Sequence, residues 1–442
     1  MRWLTLDSDG SSPSIILRSK RNTLNRLITL IVLACLSFLF IIAACAAQQS
    51  DRLIITMWQH HMVSGEREAI DAEIGRFRQL HPEIDVRALS KSGYESAALD
   101  GIGPDLVYGP SDAVELFQSK RIIQDMTPWI SKTQQQQFGE GSLIKLPGLD
   151  DSSKEELLLV GGRVGNHLAL VFNQNYVSEP PQTTEDLIQI AKQQTIDEDQ
   201  DGRPERYGLV WNCSEPFFAV PFLTGCGAWV FDENSPGVPN LDTPEAIAAY
   251  ALIHRIVNKE LVTPPNCDYA IADALFKDGK AAMIINGDWS WSDYLGNPKL
   301  NAAVAVLPAV SGTGIPMRPM VAPIGYSLNA NAKGERADAA MLFVQYMTSE
   351  EVQRRLVKRL RIVSSLHVLY EEALSSSDKI FTVSVKQVER GRPMPVEYEL
   401  RAIFDSMRPA LRALLQGELT PEEAGKRMQI MAERRISEMK LQ

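Results

Sequence analysis

The alternation of strands and helices near the start of the chain is the feature that most narrows its fold. A β-rich run over residues 53–58 precedes a segment over 66–80 whose apolar residues recur at helical spacing. A second strand begins after His81-Pro82, and a third over 104–107 leads into a helix over 113–119. This order predicts a parallel sheet with helical crossovers, and therefore an α/β fold.

The length of the chain, 442 residues, exceeds what one hydrophobic core usually supports, so two lobes are expected. A hydrophobic content of 45% and a charged content of 23% are typical of a folded globular protein. The glycine-rich segment 161–166 suits a crossing between lobes. We predict a leader and tether over 1–50, an N-terminal lobe from 51–164 with 306–373, and a C-terminal lobe from 165–305 with 374–442.

The first 50 residues have the pattern of an export signal. Basic residues at 18–26 precede an uncharged apolar run over 27–44, which ends in small residues before Cys45. An Ile-Ala-Ala-Cys sequence resembles the lipobox of bacterial lipoproteins, which implies lipidation of Cys45. An uncleaved membrane anchor is the alternative, because 18 apolar residues can just span a bilayer. Both interpretations place residues 51–442 outside the cytoplasm, tethered to a membrane.

The charge of the body argues against nucleic acid as a partner. Removal of residues 1–44 leaves 40 basic and 53 acidic residues, a formal charge of −13 against −10 for the whole chain. An acidic body without a basic stripe repels a phosphate backbone. Cys213, Cys226 and Cys267 remain in the body, and two of these three can pair in an oxidising compartment, but the sequence does not say which two.

The stretch 282–292 is the strongest candidate for a ligand site. Residues 282–285 are a short buried strand, and Asn286-Gly287 ends it where a positive φ is inexpensive. Asp288, Trp289 and Trp291 then follow the carboxyl end of the strand, where open α/β sheets bind ligands. Indole rings beside a carboxylate suit a sugar, with its C–H face on the ring and its hydroxyls on the acid. The alternative is that both indoles are buried in a helix that starts here.

Residues 197–202, Asp-Glu-Asp-Gln-Asp-Gly, match the opening of an EF-hand calcium loop. The twelfth position of that loop should be Glu and is Gly208, so the bidentate ligand is missing. A solvated Asp-rich turn is the favoured interpretation, and we predict neither a bound metal nor a cofactor.

The run 286–292 also carries a family resemblance. Asn-Gly-Asp-Trp-Ser-Trp-Ser is similar to an Asn-Gly-Pro-Trp-Ala-Trp-Ser run in the sugar-binding group of solute-binding proteins of ATP-driven importers, which includes maltose-binding protein. The likeness extends over 54–436. It implies a periplasmic-binding-protein fold, in which two α/β lobes are joined by a multi-strand hinge with the ligand cleft between them. It also implies that Trp289 stacks on sugar.

Other candidate contacts follow from the same resemblance. Glu-Pro-Phe-Phe at 215–218 is similar to a family Glu-Pro-Tyr-Phe, which implies that Glu215 accepts sugar hydroxyls and that Phe217 is a second aromatic wall. Asp112 corresponds to a hydroxyl-binding Asp, and Phe404, or Tyr398 in its place, to a third stacking aromatic. The family's hinge Glu falls at Asn166 here, and its Trp near Asp112 falls at Gly109, so maltose itself is in doubt. The remaining candidate contacts are His60, His61 and Tyr326.

The sequence therefore predicts an extracytoplasmic, monomeric sugar-binding lipoprotein, found on the periplasmic or extracellular face of a bacterial membrane. Such a protein captures a carbohydrate, an oligosaccharide or disaccharide, by closing its lobes and delivers it to the permease of an ATP-driven importer. Two alternatives remain. The carboxylates of Glu215, Asp112 and Asp288 are also those of an exported carbohydrate-active enzyme, a hydrolase or lyase, and a ligand sensor for a membrane receptor shares the fold.

Overall fold

A computed structural model describes residues 52–59 and 64–440. The predicted leader with Cys45 and the candidate contacts His60 and His61 lie outside the described residues. Residues 52–53 and 82–85 belong to one compact unit, in which the Leu53 amide donates to the Glu83 carbonyl at 2.9 Å. The other unit is Ile54–His81 with Val86–Gln442, and it contains the residues of the candidate site.

The larger sheet follows the order β14-β6-β13-β3-β1-β2, with β5 paired to β6 and with β4 and β15 paired to β13. The parallel pairing of β1 with β3 confirms the strand–helix–strand prediction, whereas β13 runs antiparallel to both β3 and β6. The strands of this sheet are β1 (Leu53–Gln59), β2 (Ile84–Ser90), β3 (Leu106–Pro110), β4 (Ile123–Gln124), β5 (Leu143–Pro147), β6 (Glu155–Gly165), β13 (Met320–Asn329), β14 (Val363–Ser364) and β15 (Arg392–Pro393).

The glycine-rich segment 161–166, which the sequence suggested as a crossing between lobes, is mostly part of a strand. Strand β6 continues through it to Gly165, because β13 pairs with it from Tyr326↔Val160 to Ala322↔Gly165. A Cβ at Gly161 would lie too close to the carbonyl of Ser142 and the side chain of Ser365. Glycine is therefore present here because neighbouring segments approach the backbone closely, and not because the backbone must be flexible.

The smaller sheet has the order β12-β7-β11-β8. Its strands are β7 (Leu168–Asn173), β8 (Tyr207–Val210), β11 (Ala281–Gly287) and β12 (Ala302–Ala305), and a separate hairpin joins β9 (Phe231–Asp232) to β10 (Ser235–Pro239). Every residue of β7 and β11 is buried, as their continuous apolar sequences require. The strand predicted at 282–285 is thus confirmed as a central strand.

Helices cover both sheets. They are α1 (Ser64–Leu80), α2 (Tyr94–Leu99), α3 (Val114–Ser119), α4 (Lys132–Gln135), α5 (Thr184–Gln194), α6 (Pro216–Gly225), α7 (Pro244–His254), α8 (Tyr269–Lys277), α9 (Trp291–Leu295), α10 (Glu335–Met347), α11 (Glu350–Leu360), α12 (His367–Leu374), α13 (Lys379–Arg390), α14 (Glu399–Leu415) and α15 (Pro421–Met439). The N-terminus of α5 is capped by Thr183 and Asp186, which exchange side-chain and backbone hydrogen bonds in a capping box. Among the described helices, none combines the length and apolar character that a membrane crossing requires.

One core packs the smaller sheet against α6, α7, α14 and α15. It contains the buried residues of β7, β8 and β11, together with helix residues such as Phe222, Tyr250 and Leu411. This core fixes the carboxyl ends of β8 and β11, and the candidate site lies at those ends.

Candidate functional site

The segments that carry Glu215 and Trp289 leave the smaller sheet at the same edge. Strands β8 and β11 are parallel and paired, with Leu209 opposite Met283 and Val210 opposite Ile284. Parallel strands end at a common edge, so the loop after β8 and the turn after β11 lie side by side. The structure therefore brings together two groups that are more than 70 residues apart in the sequence.

Trp289 lies in a single 3₁₀ turn, Asp288–Ser290, directly after β11. Its half-buried indole packs beside Phe217 and Phe218, with ring centroids 6.1 and 6.5 Å away. The indole N–H donates to the Tyr269 hydroxyl at 3.0 Å. This bond and the two ring contacts fix the plane of the indole, while part of the ring stays accessible, as a stacking platform requires.

Gly287 has a different role from the one that the sequence suggested. Its φ is −84°, so the turn does not use the left-handed region, and that expectation is wrong. Instead, a Cβ at this position would overlap the six-membered ring of Trp289. Glycine is required here because the indole lies directly against the backbone of the residue two positions earlier.

Glu215 is paired with an arginine that the sequence analysis did not identify. Arg408 on α14 donates from Nε and Nη2 to the two carboxylate oxygens of Glu215, at 2.9 and 3.0 Å, and from Nη1 to Asp405 at 2.9 Å. The side chains of Glu215 and Arg408 are 28% and 33% exposed, so the pair borders solvent. A bidentate pair of this kind presents charged donors and acceptors in a fixed geometry.

One face of α14 carries further side chains beside the Glu215–Arg408 pair, and we call the pair together with this face the polar rim. Arg401, Phe404 and Arg408 follow each other at spacings of three and four residues, so they lie on the same side of the helix. Phe404 is half-buried against the core, between the two arginines. The other stacking candidate, Tyr398, is half-buried before the first turn of α14, and its backbone N–H donates to Glu115 at 2.9 Å.

Asp112 lies in the 3₁₀ turn Ser111–Ala113, directly after β3 of the larger sheet. The Asp112 residue is exposed to solvent on one side. The surrounding protein nevertheless desolvates the carboxyl and raises its pKa, and the charge of Arg401 lowers this pKa by a smaller amount. Arg401 also approaches Glu95 at 3.6 Å. The α14 face thus faces Asp112 at one end and Glu215 at the other.

Asp288, predicted to contact ligand, has a buried partner instead. Its side chain is 5% exposed and accepts from Arg163 Nη1 at 2.7 Å, while Arg163 Nε donates to Glu66 at 3.2 Å. The Tyr108 hydroxyl donates to Glu66 at 2.9 Å. This network joins β3, α1 and β6 to the end of β11, so it ties the Trp289 turn to the larger sheet.

His167 completes the network. It is fully buried, with Nδ1 3.9 Å from Asp288 and Nε2 3.3 Å from the Ser384 hydroxyl. Burial lowers the pKa of the His167 imidazole, and the opposing effect of the Asp288 charge does not cancel this shift.

Three further candidates occupy positions that differ in exposure. Trp291 is 3% exposed, packs edge-on against the His167 ring and donates to the Asn286 carbonyl, so its indole belongs to the core. Tyr326 is 1% exposed in β13, with its ring 4.8 Å from that of Tyr108. Asn166 is half-buried in the turn between β6 and β7, with a φ of 50°. The accessible candidates are therefore Trp289, Phe217, Glu215, Phe404, Tyr398, Asp112 and Asn166.

A groove of about 860 Å³ opens beside this cluster. Its lining includes Ser111 and Glu397, which directly precede Asp112 and Tyr398, but none of the aromatic candidates. The indole in its lining, Trp229, is 7% exposed and is covered by Arg392 at 4.0 Å from the ring centroid. The rings of Trp289 and Phe217 are not covered by a cation in this way, and both residues are half-buried.

The Asp-rich turn brings carboxylate oxygens of Asp197, Asp199 and Asp201 within 4.8 Å of one another. A Cβ at Gly208 would overlap the backbone of Ala191, so this packing excludes the missing Glu ligand.

Comparisons with known proteins find similar chains in one family. The model of the bacterial extracellular solute-binding proteins matches residues 64–354. The maltotriose-binding protein of Pyrococcus abyssi is 23% identical over 381 residues, which cover 82% of this chain and 77% of the relative. A maltooligosaccharide ABC transporter solute-binding lipoprotein of Streptococcus pneumoniae is 21% identical over 364 residues, 76% of this chain and 79% of the relative.

Among solved structures, the maltose/maltodextrin-binding domain MalE from Bdellovibrio bacteriovorus, bound to maltotriose, is 35% identical. It covers 87% of this chain and 100% of its own length, with a TM-score of 0.80. The described fold is thus the two-lobe α/β fold that the sequence predicted.

Proposed function

The chain belongs to the family of bacterial extracellular solute-binding proteins, and from this premise we propose that it captures a carbohydrate for an ABC transporter. Relatives named for maltotriose and maltooligosaccharides support an oligosaccharide of glucose as the first candidate ligand. Membership of this family favours binding over catalysis.

The observation that carries the proposal is the pairing of aromatic and charged groups at one sheet edge. Trp289 and Phe217 lie 6.1 Å apart, and Phe217 follows Glu215, which is held by Arg408. Apolar ring faces bind the C–H faces of a pyranose, and the carboxylate and guanidinium bind its hydroxyls. Arg408 holds the Glu215 carboxylate as a hydrogen-bond acceptor in a fixed position, which suits binding of a hydroxyl. A glycosidase needs, in addition, a second carboxyl group that donates a proton.

The strand assignments support the proposed lobe boundaries. The larger sheet draws its main strands from 53–165 and 320–329, and the smaller sheet draws all of its strands from 168–305. We therefore propose lobes from 51–164 with 306–373 and from 165–305 with 374–442. A ligand that contacts Asp112 of the first lobe and Trp289 of the second binds the closed form better than the open form, and this difference drives closure.

Selectivity follows from the polar rim. A sugar that lacks the hydroxyl expected by Glu215 or Arg408 leaves a desolvated group without a partner, at a cost of about 1–3 kcal/mol, and more for a charged group. The proposed ligand is therefore distinguished by the position of its hydroxyls as well as by its length.

A thermal-shift panel of mono- and oligosaccharides, followed by calorimetry with maltotriose, tests the proposal. A ligand at a hundred times its Kd stabilises the folded protein by about 2.7 kcal/mol, which raises Tm measurably. Binding of one sugar class with an unchanged sugar recovered after incubation supports the proposal. Shortened products indicate a hydrolase or lyase instead, and the absence of any shift across the panel overturns sugar binding.

The membrane attachment forms a separate part of the proposal. The Cys45 sequence and the lipoprotein relative from Streptococcus pneumoniae support a lipid anchor on the periplasmic or extracellular face of a bacterial membrane. Incorporation of labelled fatty acid into the wild-type chain but not into a Cys45→Ser variant tests this attachment. Loss of sugar uptake when the chain is deleted, together with an intact permease, tests delivery to the transporter and separates it from a sensor role.

A further inference from the structure

Three cysteines lie in the described body, and the structure distinguishes between them. Cys213 and Cys267 are 2% and 1% exposed, and Cys226 is 7% exposed. No disulfide joins them in this structure. Cys226 lies at the end of α6, whereas Cys213 and Cys267 lie in two neighbouring segments next to the candidate site.

The segments of Cys213 and Cys267 run side by side. The Leu209 amide donates to the Val262 carbonyl at 3.2 Å, and the Cys213 amide donates to the Cys267 carbonyl at 2.9 Å. The Thr263 hydroxyl adds a bond to the Leu209 carbonyl at 2.8 Å. Backbones joined by such bonds lie about 5 Å apart, which falls within the Cα separation of about 4.4–6.8 Å that disulfides use.

The two thiols are also close to each other. Burial raises the pKa of the Cys213 thiol well above its usual range, and a hydrogen bond with the Cys267 thiol raises it further. For Cys226, burial alone raises the pKa, to about 11.

We infer that Cys213 and Cys267 form a disulfide in the exported protein, with Cys226 left as a free thiol. The inference rests on the proposed extracytoplasmic location, because an oxidising compartment is required. The oxidant is a disulfide of the thiol–disulfide exchange type, a protein oxidoreductase or a small disulfide such as oxidised glutathione.

Exchange proceeds in two steps. One cysteine thiolate attacks the oxidant's disulfide and releases one of its sulfurs as a thiolate. The second cysteine thiolate then attacks the mixed disulfide and releases the other. The two cysteines lose two protons and two electrons, and the oxidant becomes two thiols. Because both thiols are buried in the fold, the bond forms during folding, before the segments are closed to the oxidant.

The crosslink has a consequence for ligand binding. Cys213 is two residues before Glu215, and Cys267 is two residues before Tyr269, whose hydroxyl accepts the Trp289 indole N–H. A bond between the two cysteines therefore joins the segment that carries Glu215 and Phe217 to the segment that orients Trp289. The disulfide pre-organises both walls of the site, which lowers the ordering cost of binding.

The test is peptide mapping of the full chain by mass spectrometry. The chain is recovered from an exporting host, its free thiols are alkylated under denaturing conditions, and it is cleaved with chymotrypsin. Chymotrypsin is chosen because no Lys or Arg separates Cys213 from Cys226, whereas Phe217 and Phe218 do. We expect one crosslinked pair that contains Cys213 and Cys267, two hydrogens lighter than the separate peptides, and an alkylated Cys226.

A second sample tests the Cys213–Cys267 pairing independently of the proposed extracytoplasmic location. The same chain is reduced, unfolded and refolded in a glutathione redox buffer, where the bond forms whether or not the protein is exported. A crosslink in the refolded sample alone shows that the pairing is right and the proposed location is wrong. Alkylation of both Cys213 and Cys267 in both samples overturns the inference, as does a crosslink that includes Cys226.

Matched serine variants supply a functional readout. Reduction of the wild type should lower Tm by about 5 °C and weaken sugar binding. The variants Cys213→Ser and Cys267→Ser should lose this response to reductant, while Cys226→Ser, which also replaces a buried thiol, should keep it. A response that survives in Cys213→Ser contradicts the inference even if that variant is less stable.

Discussion

Replacement of Trp289 by alanine is the perturbation that most directly tests the site. The indole is half-buried, is held by Tyr269 through a 3.0 Å bond and lies beside Phe217 and Phe218. Its remaining accessible surface is the part that a sugar would cover. The change removes this surface and leaves the Glu215–Arg408 pair in place.

The expected loss follows from area and ring contact. A sugar that covers roughly 50 Å² of apolar ring gains about 1.2 kcal/mol at 25 cal/mol per Å². Stacking adds about 0.5–1.5 kcal/mol beyond the area burial, by analogy with aromatic pairs. The sum, about 2 kcal/mol, corresponds to roughly a thirtyfold increase in Kd. Trp289→Phe, which keeps a ring, should lose clearly less.

Calorimetry with the best sugar from the panel measures the effect, and Trp129→Ala is the matched control. Trp129 is also half-buried, and its indole N–H donates to the Asp338 carboxylate at 2.8 Å, but it lies at neither the smaller sheet nor α14. Trp129→Ala should bind sugar like the wild type. Trp291→Ala should differ from both, since loss of a buried indole costs about 3–5 kcal/mol of folding stability.

Two results would refute this reasoning. A Kd for Trp289→Ala within twofold of the wild type removes the residue from the site. An equal loss in Trp129→Ala shows that the effect reports general destabilisation. Circular dichroism melts of both variants, taken before titration, establish that each is folded at the assay temperature.

Two further predictions concern buried ion pairs. Arg163→Met leaves the carboxylates of Glu66 and Asp288 buried without their shared cation. Urea denaturation should therefore show a loss of about 3–5 kcal/mol in the free energy of unfolding. An added Asp288→Asn substitution should recover part of that loss. Glu73 pairs with Arg355 at 2.8 Å. Burial raises the pKa of Glu73, but its hydrogen bonds and the positive charges of its partners outweigh this effect and hold the pKa below its usual range. Its stabilising contribution is therefore present above the unfolded pKa of about 4.3 and lost as the pH falls through the folded value. Urea melts of wild type and Glu73→Gln should accordingly converge as the pH falls through the folded pKa of Glu73, and a constant difference would contradict the assignment.

Local patterns predicted much of the fold. The buried strand β11 and the helix α1 were both readable from sequence, because each depends on residues within a few positions. Strand β5, by contrast, was not predicted from the sequence. It forms because β6 supplies its partners, from Leu143↔Val160 to Pro147↔Glu155.

The candidate site was predictable only in part. The sequence predicted that Trp289 follows the carboxyl end of a buried strand, and the structure shows that β8 ends at the same edge. The sequence did not identify Arg408, although its spacing of four residues from Phe404 places both on one helix face. Its partner Glu215 is 193 residues away, so no local pattern could assign the pair.

The sequence by itself determined which segments become central strands and helices, and that an indole follows β11. Only the tertiary structure decided that Trp289 stays accessible while its neighbour Asp288 is buried against Arg163, 125 residues away. The physical reason is that hydrophobic periodicity is encoded over a few residues, whereas exposure and ion pairing depend on which distant elements pack together. Adjacent side chains in one short turn can therefore point to opposite environments, and the choice between ligand contact and internal support is made by the fold.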